Sequence, residues 1–349
     1  MNVLLTSVGR RVKLIEYFVR EWGSAGKIIA ADCDPTAPAL FAAHHRQIVP
    51  RIDDPAYVQT LEEICLRYDI KAVLSLIDPE LGVLAAHAER FSRLGVQAVV
   101  SGLDAVNLCL DKKGTCDFLR AHGLPCVPTY TLEEARAALA CGELTYPLLA
   151  KPRKGSASLG LVRMEKEAEL AAFAHKKDEL IVQPFLQAEE YGVDGYADLV
   201  TGELTTLFTR KKMRMRAGET DRSLAIRDER LTSLVTSLVS VLPLRGPFDI
   251  DCFLLGDQYA ISEINPRFGG GYPHAHESGV NAVAALFRNL RKEASKPNIG
   301  DYEAGTIMLK YDQVMLVHSS RLTGEGMKKS APALGDLLYN ERYGGDMPP

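Results

Sequence analysis

Long apolar runs are missing from this 349-residue sequence. None approaches the roughly 18 consecutive apolar residues that a membrane-crossing helix needs, so no membrane partner is expected. Charge of one sign is missing too. There are 41 Lys and Arg against 45 Asp and Glu, a formal net charge of −4. No global field gathers nucleic acid, and any bound anion must be held by local groups. The seven cysteines, Cys33, Cys65, Cys109, Cys116, Cys126, Cys141 and Cys252, contain no C-x-x-C pair, and their count is odd. That argues against a disulfide framework and against a zinc site, and free thiols in a reducing cytosol are the expectation. Two nucleotide-loop fingerprints are absent. G-x-x-x-x-G-K-[ST] does not occur, and Ser7-Val8-Gly9-Arg10-Arg11 has one glycine where a dinucleotide fold has G-x-G-x-x-G. Asp32 alone does not restore that oxidoreductase reading. The apolar start lacks the charged segment and long apolar core of a secretion signal, and reads as a first buried strand.

What is present has the length for two or three packed subdomains. Strand and helix alternate over the first third. Strands are predicted at 3–6, 27–31, 47–49, 72–77 and 97–101, with helices at 12–22, 57–68 and 81–94. Repeated β-α-β units imply a doubly wound parallel sheet that binds ligands at its strand ends, near Ser7–Arg11, Asp32–Asp34 and Asp78–Glu80. The pattern changes near residue 110. Helices are predicted at 112–122, from Thr131 to about Ala140, and at 230–242. Strands at 148–151, 160–164, 180–183, 191–199, 204–211, 246–255, 259–264 and 305–311 are joined by short turns, so an antiparallel sheet is expected. Residues 324–349 read as an irregular tail.

Three segments carry chemistry. In Ser262-Glu263-Ile264-Asn265-Pro266-Arg267, alternate strand residues share a face, so Glu263 and Asn265 project together. Asp251, on the partner strand of the hairpin, can face them. These are hard oxygen ligands suited to Mg²⁺ shared with phosphates, and Arg267 adds a fork of donors for a phosphoryl oxygen. Gly269-Gly270-Gly271 follows, as expected where backbone lies close to a ligand. In Ala150-Lys151-Pro152-Arg153-Lys154-Gly155-Ser156-Ala157-Ser158-Leu159-Gly160, a lysine ends an apolar strand before a small polar turn able to cradle a polyphosphate. In Val182-Gln183-Pro184-Phe185, followed by Glu189-Glu190, a buried strand runs into a connector that can meet an adenine edge, with a carboxylate for ribose hydroxyls.

In this order the segments resemble the ATP-grasp superfamily. They are similar to the carbamoyl-phosphate synthase large subunit and to stand-alone carboxylate–amine ligases, over roughly residues 1–290 and most specifically at Ser262–Gly271. The resemblance implies a mixed α/β and α+β chain. A doubly wound pre-ATP-grasp domain (1–105) precedes a lobe with a phosphate lid (106–186), a lobe with the metal site (187–323) and the tail. It further implies phosphate contacts at Lys112 and Lys151, and a lid at Arg153 and Gly155–Gly160 that includes Ser156 and Ser158. Adenine contacts fall at Gln183 and the Phe185 backbone, a ribose contact at Glu190, and metal ligands at Asp251, Glu263 and Asn265. Arg267 steadies an acyl phosphate, and Arg216 with Thr220 lies near the reacting phosphate. Pro184 departs from the family, which often has glutamate there; proline lacks an N–H.

The implied cofactors are ATP and Mg²⁺, with Mn²⁺ as a substitute. The implied reaction is ADP-forming ligation of a small-molecule carboxylate and an amine in the cytoplasm, and relatives are often dimers. Arg10, Glu80, Arg267 and Gly270 are the candidate substrate contacts, with Arg11, Asp78, His274 and His276 nearby. Phosphorylation of bicarbonate or carbamate, and ATP binding without catalysis, remain open alternatives.

Overall fold

The computed structural model describes residues 1–155, 160–176 and 179–322; the expected tail lies outside them. Strands β1 (Asn2–Thr6), β2 (Ile28–Asp32), β3 (His45–Ile48), β4 (Ile70–Ser75) and β5 (Gln97–Ala98) form a parallel sheet ordered β3-β2-β1-β4-β5. Its central strands are apolar on both faces because helices cover both. Val3 and Leu5 pack with Leu14, Ile15 and Phe18 of α1 (Val12–Trp22) on one side. Leu4 packs with Tyr57, Leu61 and Ile64 of α2 (Tyr57–Arg67) on the other. Asp78-Pro79-Glu80, read from sequence as the end of a strand, is instead the first turn of α3 (Asp78–Ala86), with proline where a missing N–H costs nothing. The single helix expected at 81–94 breaks at His87, and α4 (Ala88–Arg93) completes it.

Helices α5 (Leu103–Leu110) and α6 (Lys112–Ala121) come next; Asp111 caps α6 by accepting from the Lys113 and Gly114 N–H groups. A capping box between Thr131 and Glu134 starts α7 (Leu132–Ala140). With α8 (Glu167–Ala172), α7 flanks a small antiparallel sheet ordered β7-β6-β8, built from β6 (Leu148–Pro152), β7 (Val162–Met164) and β8 (Leu180–Pro184).

The large sheet holds β9 (Glu190–Ala197), β10 (Leu204–Arg216), β11 (Glu219–Ile226), β12 (Gly246–Leu255), β13 (Gln258–Asn265), β14 (Asn298–Ile299) and β15 (Ile307–Leu309). Its order is β13-β12-β9-β10-β11-β15, with β14 beside β10. One face is apolar: Val193, Ile250 and Ile264 pack against Leu231, Val235 and Leu238 of α9 (Glu229–Val241) and against Cys109 and Leu119. Thus α5 and α6 share the core of the large sheet, not that of the small one. Two helices not expected from sequence, α10 (Tyr272–Glu277) and α11 (Ala282–Leu290), bring Tyr272 and Phe287 onto Tyr17, Phe18 and Trp22 of α1. Among the described residues no helix is long and apolar enough to cross a membrane.

Candidate active site

Residues directly opposed in an antiparallel pair send their side chains to one face. Two rows therefore cross the large sheet opposite α9. Glu263, Asp251, Gly192 and Arg210 form one; Asn265, Asp249, Asp194 and Phe208 form the next. A register shift after Asp251 sets Glu263, not Ser262, against it. The sequence expectation that Asp251, Glu263 and Asn265 share a face matches this register.

The charges on that face are ordered by ion pairs. Arg210, 1% exposed, binds Asp194 through Nη1 and Asp249 through Nη2 at 3.0 Å. Burial alone would raise the Asp249 carboxyl, but the Arg210 and Arg267 guanidiniums hold it below the ordinary range. Lys212 Nζ lies 2.7 Å from Glu190 and 2.6 Å from Asp251. Burial alone would lower Lys212; Asp251 and Glu190 raise it instead. Lys212, Arg210, Asp194 and Asp249 were missed in the sequence reading. Their signal is the i, i+2 spacing of Arg210 with Lys212 and of Asp249 with Asp251 on strands whose other face is apolar.

Opposite this face stand two lysines. Lys112 Nζ is 3.5 Å from Glu263 and donates to the Gly155 carbonyl at 2.6 Å. Lys151, at the end of β6, is lowered by burial and by Lys112, while Glu263, Asp251 and Glu190 oppose the shift. The lysines therefore share one field with three carboxylates. Burial pushes the Asp251 carboxyl up to about 7; Lys212 opposes, but Asp249, Glu190 and Glu263 add to the rise. Its Oδ1 is buried and faces the Lys212 ammonium at 2.6 Å. Among the described residues no three His, Cys, Asp or Glu side chains form a metal cluster, so Asn265 is needed as a third donor. Two carboxylates and an amide oxygen on one face are hard oxygen donors that fit a divalent cation such as Mg²⁺.

Several expected nucleotide contacts sit differently. Gln183 is 3% exposed and donates Nε2 to Thr129 Oγ1 at 2.7 Å, on the sheet face it shares with Leu149 and Lys151. The Phe185 N–H, expected at the adenine edge, donates to the Pro147 carbonyl at 3.0 Å. Arg153, expected in the lid, grips both Asp111 oxygens, with Nε at 2.8 and 3.0 Å and Nη2 at 2.7 Å, and so ties the lid base to α6. Gly155 and Gly160 have positive φ at the lid ends; Ser156 and Ser158 lie outside the described residues.

Next to this cleft is a cavity of about 1200 Å³, bordered by Arg10, Arg11, Arg216, Glu219, Gly270 and Lys310. Arg11 and Arg267 both donate to the Phe268 carbonyl, at 2.6 and 3.2 Å. Arg267 also binds Asp78 at 2.9 Å. Arg11 is lowered by burial and by Arg267, and no carboxylate lies within 4.0 Å of it among the described residues. The glycine triplet is explained partly by what lies beneath it. A Cβ on Gly269 would stand 2.5 Å from Asp249 Oδ1, and one on Gly271 2.3 Å from Arg210 Nη2. Backbone thus passes tightly over the ion pairs, and Gly269 and Gly270 also face the cavity.

Other expected substrate contacts are corrected. Glu80 is 0% exposed and saturated: Thr6 and Tyr57 donate to Oε1, Ser7 and Ser75 to Oε2, each at 2.6 Å. It braces strand ends and faces no ligand space. Asp78 is buried against Arg267 and is not open to an amine. His276 stacks on Tyr17 at 3.7 Å and meets Arg20 and Tyr272. His274 borders the cavity, held by Ser223 and Thr306. Burial, with Arg20 beside His276 and Arg210 beside His274, pushes both imidazoles down to about 4. Thr220 is buried at the cavity wall. Arg216, expected near the reacting phosphate, is exposed at the cavity rim and chelates Asp312 at 2.7 and 3.0 Å.

Comparison with known proteins agrees with this geometry. Residues 3–99 match the PylC-like N-terminal domain and residues 109–271 the ATP-grasp domain. Formate-dependent phosphoribosylglycinamide formyltransferase of Methylococcus capsulatus is 25% identical over 315 residues, covering 83% of this chain and 73% of that protein. Two solved structures share the fold. The biotin carboxylase domain of Hydrogenobacter thermophilus 2-oxoglutarate carboxylase, in complex with MgADP, ADP and bicarbonate, superposes with a TM-score of 0.71 at 16% identity, covering 88% of this chain and 73% of that one. N5-carboxyaminoimidazole synthetase of Staphylococcus aureus, complexed with ADP, gives 0.69 at 17% identity, covering 88% and 79%. Lysines of α6 and β6 facing carboxylates of the large sheet, a PylC-like domain ahead of them and these relatives together identify a chain that carries an ATP-grasp domain and is similar to the ATP-grasp carboxylate–amine ligases.

Proposed function

We propose that the protein is an ATP-dependent carboxylate–amine ligase. A substrate carboxylate takes the γ-phosphoryl group of ATP, giving an acyl phosphate and ADP. An amine then displaces phosphate and forms an amide. One observation carries this reading: Lys112 and Lys151 on one wall of the cleft face Asp251, Glu263 and Glu190 on the other. Cations for a polyphosphate stand opposite hard oxygens for the divalent ion that accompanies it.

Asp251, Glu263 and Asn265 would hold Mg²⁺, or Mn²⁺ in its place; when bound, the ion neutralises charge on the phosphates. Lys112 and Lys151 bind and orient the β- and γ-phosphates. Lys212 stands between Asp251 and Glu190 and opposes the rise that burial imposes on Asp251. Arg267, fixed through Nε and Nη2 by Asp78 and through Nη1 by the Phe268 carbonyl, sets a preorganised positive charge beside the acyl phosphate. Arg11, which lies in the field of Glu219, Asp78 and Asp249 and borders the cavity, receives the substrate carboxylate arriving through it. Little covalent chemistry falls to the protein; positioning and charge carry the rate. The relative's own name pairs formate, a carboxylate, with formyl transfer, in support of carboxylate activation.

Hydroxylamine trapping tests the first step. With Mg-ATP and a panel of carboxylates, the native chain should yield a hydroxamate with at least one acid, and Lys151→Met should yield ~10²-fold less. Equal hydroxamate from Lys151→Met, or tight ATP binding with no hydroxamate across the panel, would contradict the proposal.

A further inference from the structure

Away from the nucleotide cleft, two sulfurs that the reaction does not use lie against each other. Cys116 Sγ and Cys126 Sγ are 2.9 Å apart. Each also approaches the other's surroundings: Cys116 Sγ lies 3.5 Å from the Val127 carbonyl, and Cys126 Sγ 3.5 Å from the Cys116 carbonyl. Cys116 is 2% exposed on α6, while Cys126 is half-buried in the segment that pairs with β13. A disulfide needs about 2.05 Å between sulfurs, so closure asks for less than one ångström of movement along this contact. We propose that Cys116 and Cys126 form a redox-active dithiol that closes to a disulfide by exchange with a low-molecular-weight disulfide.

The chemistry of the pair supports exchange. The hydrogen bond from Cys126 lowers Cys116; burial opposes, and Arg120 one turn further along α6 lowers it again. Cys126 is raised correspondingly. One thiolate stabilised by a neighbouring S–H and a guanidinium is the reactive form for thiol–disulfide exchange. The proton shared across the 2.9 Å contact passes to Cys116, and the more accessible Cys126 sulfur, now the thiolate, attacks one sulfur of the small disulfide, displacing one thiolate that leaves as the thiol and giving a mixed disulfide. Cys116 then attacks the Cys126 sulfur and displaces the second thiol. Two protein thiols are oxidised, one small disulfide is reduced to two thiols, and no other oxidant is required.

The placement links this bond to the nucleotide cleft. Helix α6 begins at Lys112, and the Cys126 segment is bonded to β13 through Ile261 N–H to Pro125 O at 3.0 Å and Val127 N–H to Ile261 O at 2.9 Å. Ile261 stands two residues before Glu263. The closed disulfide therefore clamps the helix of Lys112 to the strand of Glu263.

The full chain is incubated with oxidised glutathione until the exposed Cys33 and Cys141 have reacted, then digested after blocking free thiols. Cleavage after Arg120 separates the two cysteines, so a linked pair is recognised directly. The expected result is a Cys116–Cys126 peptide pair free of glutathione and released by dithiothreitol, with a higher thermal midpoint for the oxidised chain. In Cys116→Ser, checked for native circular dichroism, Cys126 should instead retain glutathione. Native protein in which Cys126 stays free, or keeps glutathione as Cys33 and Cys141 do, would overturn the proposal.

Discussion

Lys212 is a buried cation held between two carboxylates of the site. It is 4% exposed and stands between Glu190 and Asp251. Removing one partner of a buried ion pair leaves a charge with neither water nor counterion, which costs about 3 kcal/mol or more. Lys212→Met should lower stability by about that amount in urea denaturation, although methionine fills much of the lysine volume; a change below about 0.5 kcal/mol would show that Asp251 and Glu190 do not depend on it. His276 gives a pH prediction. Folded, it is pushed from 6.5 down to about 4, first by burial and then by Arg20. Between those values the unfolded chain binds the extra proton, so stability is full above pH 6.5 and falls as pH drops towards 4. The slope is at most about 1.4 kcal/mol per pH unit for one histidine. His276→Gln should flatten the thermal-midpoint profile in that window relative to the native chain; parallel profiles would contradict the burial argument. His274 and the raised Asp251 titrate in both proteins, so the difference isolates His276.

At the scale of elements, the glycines of 269–271 separate two causes. A Cβ at Gly271 would press into Arg210, which is fixed by Asp194 and Asp249. Gly271→Ala should therefore destabilise by about 1–3 kcal/mol, as overpacking does. Gly82 sits within α3 with nothing near its missing Cβ, and Gly82→Ala should stabilise by about 0.5–1 kcal/mol. Chemical denaturation of both variants checks the pair; equal effects would refute the packing account. The same scale shows what the sequence made legible. Periodicity alone located α1, α2, α6 and the strands that share its register of apolar residues. The face shared by Asp251, Glu263 and Asn265 followed from strand alternation. It did not reveal β11 or the far half of β10, because Lys211-Lys212-Met213-Arg214-Met215-Arg216 reads as a charged loop until Arg210 and Lys212 find carboxylates across the sheet. Glu80 was not legible for a related reason: a polar side chain after a strand end reads alike whether it meets a ligand or, as here, four hydroxyls.

At the scale of the whole molecule, α1 of the PylC-like domain shares one core with α10 and α11. Phe18, Trp22, Phe268, Tyr272 and Phe287 form a continuous aromatic contact between the parallel sheet and the large antiparallel one. The two sheets should therefore unfold together. Trp22, the only tryptophan and 1% exposed, reports the junction, and its fluorescence transition should coincide with the far-ultraviolet circular dichroism transition. An earlier fluorescence transition would mean that the domains separate first. The same junction borders the cavity, which Arg10 and Arg11 on one side and Gly270 on the other line together.

The most direct test of the central claim is nucleotide turnover with Mg-ATP over pairs of carboxylates and amines, with products identified by mass spectrometry and Glu263→Gln as the control. The account predicts that one pair gives ADP, phosphate and a condensed amide in equal amounts. It also predicts that Glu263→Gln, which removes a carboxylate from the proposed metal site, lowers the rate by ~10² or more. Formation of AMP and pyrophosphate instead of ADP, or undiminished turnover by Glu263→Gln with the same pair, would contradict it.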